Sequence, residues 1–149
     1  MLDVAALQAE LDAARVRGAS VVLTNGVFDV LHVGHLRYLR AARRQGDLLV
    51  VGVNTDAAVT KPGRPRVPQA ERAELVAALE PVDFVVLFDQ PTADDLLRQV
   101  RPSVYVKGAD YSERTLPEAA TARALGARLV FVELVPGRSS SALIERCRQ

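Results

Sequence analysis

Residues Ser20–Leu39 read SVVLTNGVFDVLHVGHLRYL. The opening SVVLTN is rich in valine and leucine and lacks polar alternation, which predicts a strand covered on both faces. Gly26 interrupts the run in a turn, and a helix is expected to start near Gly34. Glycine lets a phosphate approach the backbone closely, and the free N–H groups of a first helical turn can hold an anion. His32 and His35 lie three apart, so both imidazoles can point the same way at the helix entrance. Two imidazoles beside exposed amides suit a polyphosphate whose charge grows during a displacement. A fragment of a metal site is the competing reading. It lacks support from cysteine, and the chain's two histidines are both in this pair.

The pattern repeats outward from this stretch. Strands are expected at Asp47–Asn54, Val82–Phe88, Ser103–Lys107 and Arg128–Leu134. Helical spacing falls between them, at Leu36–Gln45, Gln69–Leu79, Thr92–Val100 and Pro117–Leu125. Gly46 and Gly126 are stop signals, and Thr92 is an expected N-cap with Asp94 and Asp95 at the positive helix end. Helices at Asp3–Arg17 and Ser140–Arg148 bracket the set. Such alternation predicts an α/β fold: a doubly wound, Rossmann-like, parallel five-stranded sheet with helices on both faces. One domain over residues 1–149 is expected, with an N-terminal helix within 1–18 and the core in 20–149. Ligands of such sheets bind beyond the C-terminal ends of the strands, so the segments following each strand carry the function.

Composition narrows the classes. The 149 residues are 49% apolar and 25% charged, with a formal net charge of +1. That balance fits a globular chain and gives no reason to expect a nucleic acid or an anionic membrane as partner. The longest apolar stretches, such as Leu48–Val53 and Phe84–Phe88, are too short to span a bilayer. Asp3, Glu10 and Asp12 interrupt any signal-peptide layout, and the single cysteine, Cys147, can make no internal disulfide. A cytoplasmic location is the expectation, with Cys147 an incidental thiol.

Three further segments hold candidate site residues. Lys107–Tyr111 (KGADY) follows the fourth strand, where Gly108 permits a tight turn, Lys107 could meet a phosphate and Asp110 could accept from a ribose or a base amine. An ordinary turn with a solvated lysine is the alternative. Pro136–Ser141 (PGRSSS) precedes the last helix, and its hydroxyls with free N–H groups could cradle phosphate or simply cap the helix. Lys61–Pro68 (KPGRPRVP) reads as a mobile loop whose Lys61, Arg64 and Arg66 either close on an anion or stay solvated. Arg37, Arg40 and Arg44 recur at helical spacing as a solvated face, while Leu36 and Leu39 would pack on the sheet. Leu7 and Leu11 suit a helix that covers the sheet or pairs with a second subunit.

His32-Val33-Gly34-His35 is similar to the HxGH signature of the cytidylyltransferase-like nucleotidyltransferases. Thr24–His35 with Tyr38 and Leu39 resembles the longer pattern TNGxFDxxHxGHxxYL, typical of the D-glycero-β-D-manno-heptose 1-phosphate adenylyltransferase family. Similarity continues through Val53–Asp56 (VNTD), Val82–Asp83, Val106–Tyr111 (VKGADY) and Pro136–Ser141, and so covers nearly all the chain after Ser20. The resemblance implies transfer of AMP from ATP to a heptose 1-phosphate with release of pyrophosphate. It also implies Mg²⁺ carried by triphosphate oxygens. His32, His35 and Lys61 would then be catalytic. Asn25, Gly26, Val27, Phe28, His35, Arg72, Lys107, Gly108, Asp110, Ser139 and Ser140 would bind nucleotide. Lys61 and Arg64 would meet the substrate phosphate.

Departures from the pattern lie in the basic loop, where relatives show RLKGxGRP against the shorter KPGRP of Lys61–Pro65. They also lie in the serine loop, where Ser-Thr-Thr has become Ser-Ser-Ser. Arg72 resembles a helix arginine that faces the nucleotide in the family, and a surface ion pair with a neighbouring glutamate is its alternative. Bifunctional relatives fuse a sugar kinase to this domain; a separate kinase is expected here, and a homodimer is possible. A CTP-dependent glycerol-3-phosphate cytidylyltransferase and a non-catalytic nucleotide-binding subunit are the competing functions.

Overall fold

The computed structural model describes residues 3–149; Met1 and Leu2, the start of the expected N-terminal segment, lie outside the described residues. Five strands form one parallel sheet: β1 (Val21–Gly26), β2 (Leu48–Asn54), β3 (Phe84–Phe88), β4 (Val104–Gly108) and β5 (Arg128–Val132). Their order is β3-β2-β1-β4-β5, which reverses between β1 and β4 and matches the doubly wound sheet expected from the alternation. The helices are α1 (Val4–Val16), α2 (Val33–Arg43), α3 (Gln69–Ala77), α4 (Asp94–Val100), α5 (Ala119–Ala124) and α6 (Ser140–Cys147). None of them is long and apolar enough to cross a membrane.

Strand residues alternate between two cores. Val21, Leu23, Val50, Val86 and Tyr105 pack on one face, with Leu7 and Leu11 of α1 and with residues of α4 and α5. Val22, Leu49, Val51, Val85, Val104 and Val106 pack on the other, with Leu39 and Ala42 of α2 and Ala73 and Val76 of α3. Burial on both faces is why the strands read as continuous apolar runs. Leu7 and Leu11 are 1% and 0% exposed, so α1 covers the sheet with its leucines. Arg37, Arg40 and Arg44 are not buried, as their spacing suggested.

Several boundaries shift by a few residues, as where β3 starts at Phe84 and β5 ends at Val132, and two of the shifts have identifiable reasons. Helix α2 starts at Val33, next to the entrance expected near Gly34 and ahead of the periodic run Leu36–Gln45, because the imidazole of His32 serves as its N-cap. Helix α4 starts at Asp94 with Ala93, not Thr92, at the cap. Thr92 Oγ1 donates to Asp94 Oδ2 at 2.6 Å, and the free Ala93 N–H goes to Glu118 Oε1 at 2.9 Å.

The strand reversal also opens the sheet. The β1–β2 ladder pairs six residues, from Val21↔Leu48 to Gly26↔Val53, whereas β1–β4 pairs only Val22↔Val104 and Leu23↔Tyr105. Beyond Leu23, side chains replace the missing backbone bonds. Thr24 Oγ1 and Tyr38 Oη lie 2.9 and 3.1 Å from the Val106 carbonyl, Tyr105 Oη donates to Asn25 Oδ1 at 2.5 Å, and Lys107 Nζ donates to the Asn25 carbonyl at 3.3 Å. The crevice at the C-terminal ends of β1 and β4 is thus bridged by polar side chains rather than closed by a ladder.

Candidate active site

The loop leaving β1 is strained and held from several sides. Phe28 and Val30 have φ of 53° and 51°, the left-handed region that non-glycine residues avoid, β-branched ones most of all. Such a conformation costs about 1 kcal/mol or more per residue and persists only when the surroundings enforce it. Here they do. Asp29, 1% exposed, accepts from the N–H groups of Arg66 and Val67 at 2.9 and 3.0 Å and from Arg64 Nε at 2.5 Å. Ser140 Oγ donates to the carbonyls of Asp29 and, at 3.2 Å, Val30. Burial raises the pKa of Asp29, but the two amides and the Arg64 guanidinium more than offset it and hold the carboxyl below its ordinary range.

At the helix entrance the two histidines cap each other's turn. His32 Nδ1 accepts from the Gly34 N–H at 3.0 Å, and His35 Nδ1 accepts from the His32 N–H at 3.2 Å. Each Nδ1 therefore carries a lone pair, and the hydrogen bonds assign the proton of each neutral ring to Nε2. The rings sit 4.0 Å apart between centroids, with Phe28 5.5 Å from His35. Burial, reinforced by the neighbouring His32 and opposed by Asp29, depresses the pKa of His35 to about 4. Burial and Arg138 lower that of His32. At neutral pH the helix entrance thus presents two neutral Nε2–H donors.

Gly34 is required by this arrangement. A Cβ there would lie 2.7 Å from His32 Cε1 and 2.8 Å from its Nδ1. Gly108 is confined similarly, since its Cβ would meet Asp110 Oδ1 at 2.6 Å.

These elements border a cleft of about 330 Å³. The Asn25–Phe28 loop, His32 and His35 line it, and so do Lys107, Gly108, Asp110, Ser139 and Ser140. Residues far apart in the chain, each singled out in the sequence, are thereby brought together. The Lys107 ammonium lies 5.3 Å from the Tyr111 ring centroid. Burial lowers the pKa of Lys107, with Glu118 and Asp110 acting against it.

Other expected residues lie elsewhere. Lys61 and Arg64 border a separate hollow, where Lys61 Nζ and Arg64 Nη1 donate to Ser141 Oγ at 2.9 and 3.2 Å. The basic loop is thus folded onto the start of α6 and onto Asp29. Arg72 does not line the cleft, nor is it a surface ion pair with a neighbouring glutamate. It is 0% exposed, and its guanidinium donates to the Val67 and Val27 carbonyls at 2.8 and 2.6 Å and to Asp56 Oδ1 at 2.7 Å. The buried side of the Val27 peptide captures it. Ser139 Oγ caps α6 by accepting from the Ala142 N–H at 3.0 Å, so capping is one use of the serine run.

The sequence reading passed over Asp29, Arg138 and Tyr38 as site residues. An acid within an otherwise apolar loop, two residues after an Asn-Gly-Val turn, was the available signal for Asp29. Arg138, which lines the cleft beside Ser139, was legible only as a base next to a serine run.

Residues 23–146 match the family model described as Cytidylyltransferase-like. The chain is 46% identical over 139 residues to the Bifunctional protein HldE of Syntrophotalea carbinolica, covering 91% of this chain and 28% of that protein. It is 47% identical over 133 residues to the protein of the same name from Magnetococcus marinus, covering 87% of this chain and 27% of that one. The chain thus spans less than a third of the length of these relatives. Among solved structures, the lipopolysaccharide core biosynthesis protein from Thermoplasma volcanium superposes with a TM-score of 0.67 at 30% identity, covering 79% of this chain and 98% of that one. With a crevice at the β1/β4 reversal, a histidine pair at a helix entrance and these matches, the chain belongs to the cytidylyltransferase-like family of nucleotidyltransferases.

Proposed function

We propose that the chain transfers AMP from ATP to D-glycero-β-D-manno-heptose 1-phosphate, releasing pyrophosphate. The observation that carries this reading is the pair of imidazoles whose Nδ1 atoms are tied to backbone amides, leaving two Nε2–H donors beside the Asn25–Phe28 loop. Similarity to the HldE proteins and to a lipopolysaccharide core biosynthesis protein favours a heptose acceptor over glycerol phosphate.

A phosphate monoester is largely dianionic at neutral pH, its second pKa being about 6, so its oxygen needs no base. It attacks the α-phosphorus of the triphosphate in line. The bond from that phosphorus to the bridging oxygen breaks, and pyrophosphate leaves with the electron pair. Catalysis is then positioning and stabilisation of charge. His32 and His35 donate to oxygens of the reacting phosphates through Nε2. Lys107, desolvated against Tyr111 and the Asn25 carbonyl, neutralises a phosphate oxygen. Asp110 accepts from the ribose or the base, and Ser139 and Ser140 lie by the outer phosphates. Mg²⁺ would be carried by triphosphate oxygens and waters rather than by a protein cage. When bound, that ion neutralises triphosphate charge. Lys61 and Arg64 reach the phosphates only if the basic loop leaves Ser141.

The test is a pyrophosphate-release screen with Mg²⁺, crossing ATP, CTP and GTP with heptose 1-phosphate and glycerol 3-phosphate. Release is expected from ATP with heptose 1-phosphate. Background rates with that acceptor would overturn the reading, and release from CTP with glycerol 3-phosphate would replace it.

A further inference from the structure

A second cavity, of about 260 Å³, adjoins the cleft. The two share Asn25–Val27, Lys107 and Tyr111, so they meet along the strained loop and the buried ammonium. Neither histidine borders the second cavity. Its own polar groups are Asn54, at the end of β2, with Thr92 and Glu118. Glu118 is only 6% exposed and makes no ion pair with a described residue. One carboxyl oxygen accepts from the Ala93 N–H at 2.9 Å. The other has no partner among the described residues, yet it is not sealed away: the one buried, unpartnered side-chain oxygen among those residues is Thr55 Oγ1. It is open to the cavity that Glu118 lines. The Asn54 amide likewise makes no side-chain hydrogen bond to a described residue and is half-buried at the same wall. A carboxyl oxygen and an amide that face a small cavity without protein partners are free to pair with whatever enters it.

We infer that this cavity receives the acceptor, and that Glu118 and Asn54 are its specificity-determining residues, reading the hydroxyl groups of a polyhydroxylated phosphomonoester whose phosphate lies at Lys107. The inference rests on the cleft being the nucleotide site, because only then does the shared border hold the reacting phosphates. A carboxyl oxygen accepts from hydroxyls and has nothing to offer an anion. Lys107, at the border, supplies the complementary charge for the phosphate end. The cavity is therefore polar in the order that a sugar phosphate requires. An acceptor with fewer hydroxyls leaves Glu118 unpaired and is rejected by that penalty, which discriminates more strongly than loss of apolar contact does.

The test is calorimetric titration of heptose 1-phosphate and, separately, of inorganic phosphate into the full chain, with and without α,β-methylene-ATP, which blocks transfer. Glu118→Gln keeps an oxygen for the Ala93 N–H and so preserves the start of α4. It is expected to weaken heptose 1-phosphate by about tenfold while leaving inorganic phosphate and α,β-methylene-ATP within about twofold. Asn54→Ala, at a half-buried position, is expected to act in the same direction and serves should the first variant fold poorly. Equal loss for inorganic phosphate, no loss in either variant, or wild-type binding of heptose 1-phosphate no tighter than inorganic phosphate would each overturn the inference. Tight, Glu118-dependent binding without pyrophosphate release would instead sink the proposed activity and leave the acceptor cavity standing.

Discussion

The hydroxyls of Thr24 and Tyr38 lie 2.7 Å apart, and both face the Val106 carbonyl where β1 and β4 part. Three contacts compete for two hydroxyl protons, so either residue alone can still satisfy the carbonyl. Tyr38→Phe and Thr24→Val should therefore each cost about 1 kcal/mol. The double variant leaves Val106 unpaired and should cost about 1 kcal/mol beyond their sum. Urea denaturation of the four proteins measures this directly. Strict additivity would mean that water already reaches the carbonyl.

The chain has two histidines, so its imidazole resonances can be followed without crowding. His35 should titrate near pH 4 and His32 below its ordinary value, read from the Cε1–H shifts. An unfolded histidine titrates near 6.5. Below that pH the unfolded chain binds protons that folded His35 refuses, so stability should fall as pH drops from about 6.5 towards 4, and His35 adds no pH dependence above about 6.5. Asp29 adds the next loss: its depressed folded pKa stabilises the protein above about 3.8 and ceases to do so below its folded value. Bound triphosphate should raise both imidazole values, and nucleotide binding near pH 6 should then take up protons. Histidines that titrate normally in the free protein would contradict the capped geometry.

The parts of this picture legible beforehand were those with local causes. Apolar runs without alternation announced strands buried on both faces, and the Gly-bearing turn before His32 and His35 pointed to the candidate cleft. Thr92 misled because a good capping side chain sat beside a residue whose N–H was already claimed by Glu118, which lies 25 positions further along. Arg72 misled for the same reason. Its burial depends on the Val27 carbonyl and on Asp56, which only the folded loop brings beside it. The second cavity is tertiary throughout, since Asn54, Thr92 and Glu118 share no sequence pattern.

Gly34 separates two effects that substitutions usually confound. Alanine is the better helix former by about 1 kcal/mol, but its Cβ would dislodge the His32 cap of α2, worth about as much, so Gly34→Ala should leave stability nearly unchanged. That Cβ would stand 2.7 Å from the His32 ring, with Arg138 Cβ 3.2 Å away on another side. The imidazole must shift; with His32 contacting the reacting phosphates as proposed, a misplacement of about 1 Å costs about 100-fold in kcat. Steady-state pyrophosphate release together with a thermal melt checks both halves. A variant with wild-type kcat would show that His32 need not hold its place.

His35→Ala removes the Nε2–H donor and the capping acceptor at once, whereas His35→Asn retains an acceptor near the His32 N–H. If charge stabilisation in the transition state is the main role, both should lose about 100- to 1,000-fold in kcat with smaller changes in the KM for ATP. Alanine alone should also lower thermal stability, by about 1 kcal/mol for the lost cap. A raised KM for ATP with kcat unchanged would mean that His35 only binds.

Arg72 holds the loop after β1 through the Val27 carbonyl. Its guanidinium serves three acceptors and is sealed from solvent, while Asp56 keeps 45% of its side chain exposed and can turn to water. Arg72→Met strands the two carbonyls and should cost about 3 kcal/mol, the lower end for breaking a buried pair. Arg72→Lys keeps the charge but cannot fork to three acceptors, so it should recover only part of the loss. Because the group does not border the cleft, the KM for ATP should rise no more than the loosened loop demands, and kcat should fall with it. A lysine variant of normal stability with a selectively raised KM for ATP would mean that the guanidinium leaves its buried seat to meet the nucleotide.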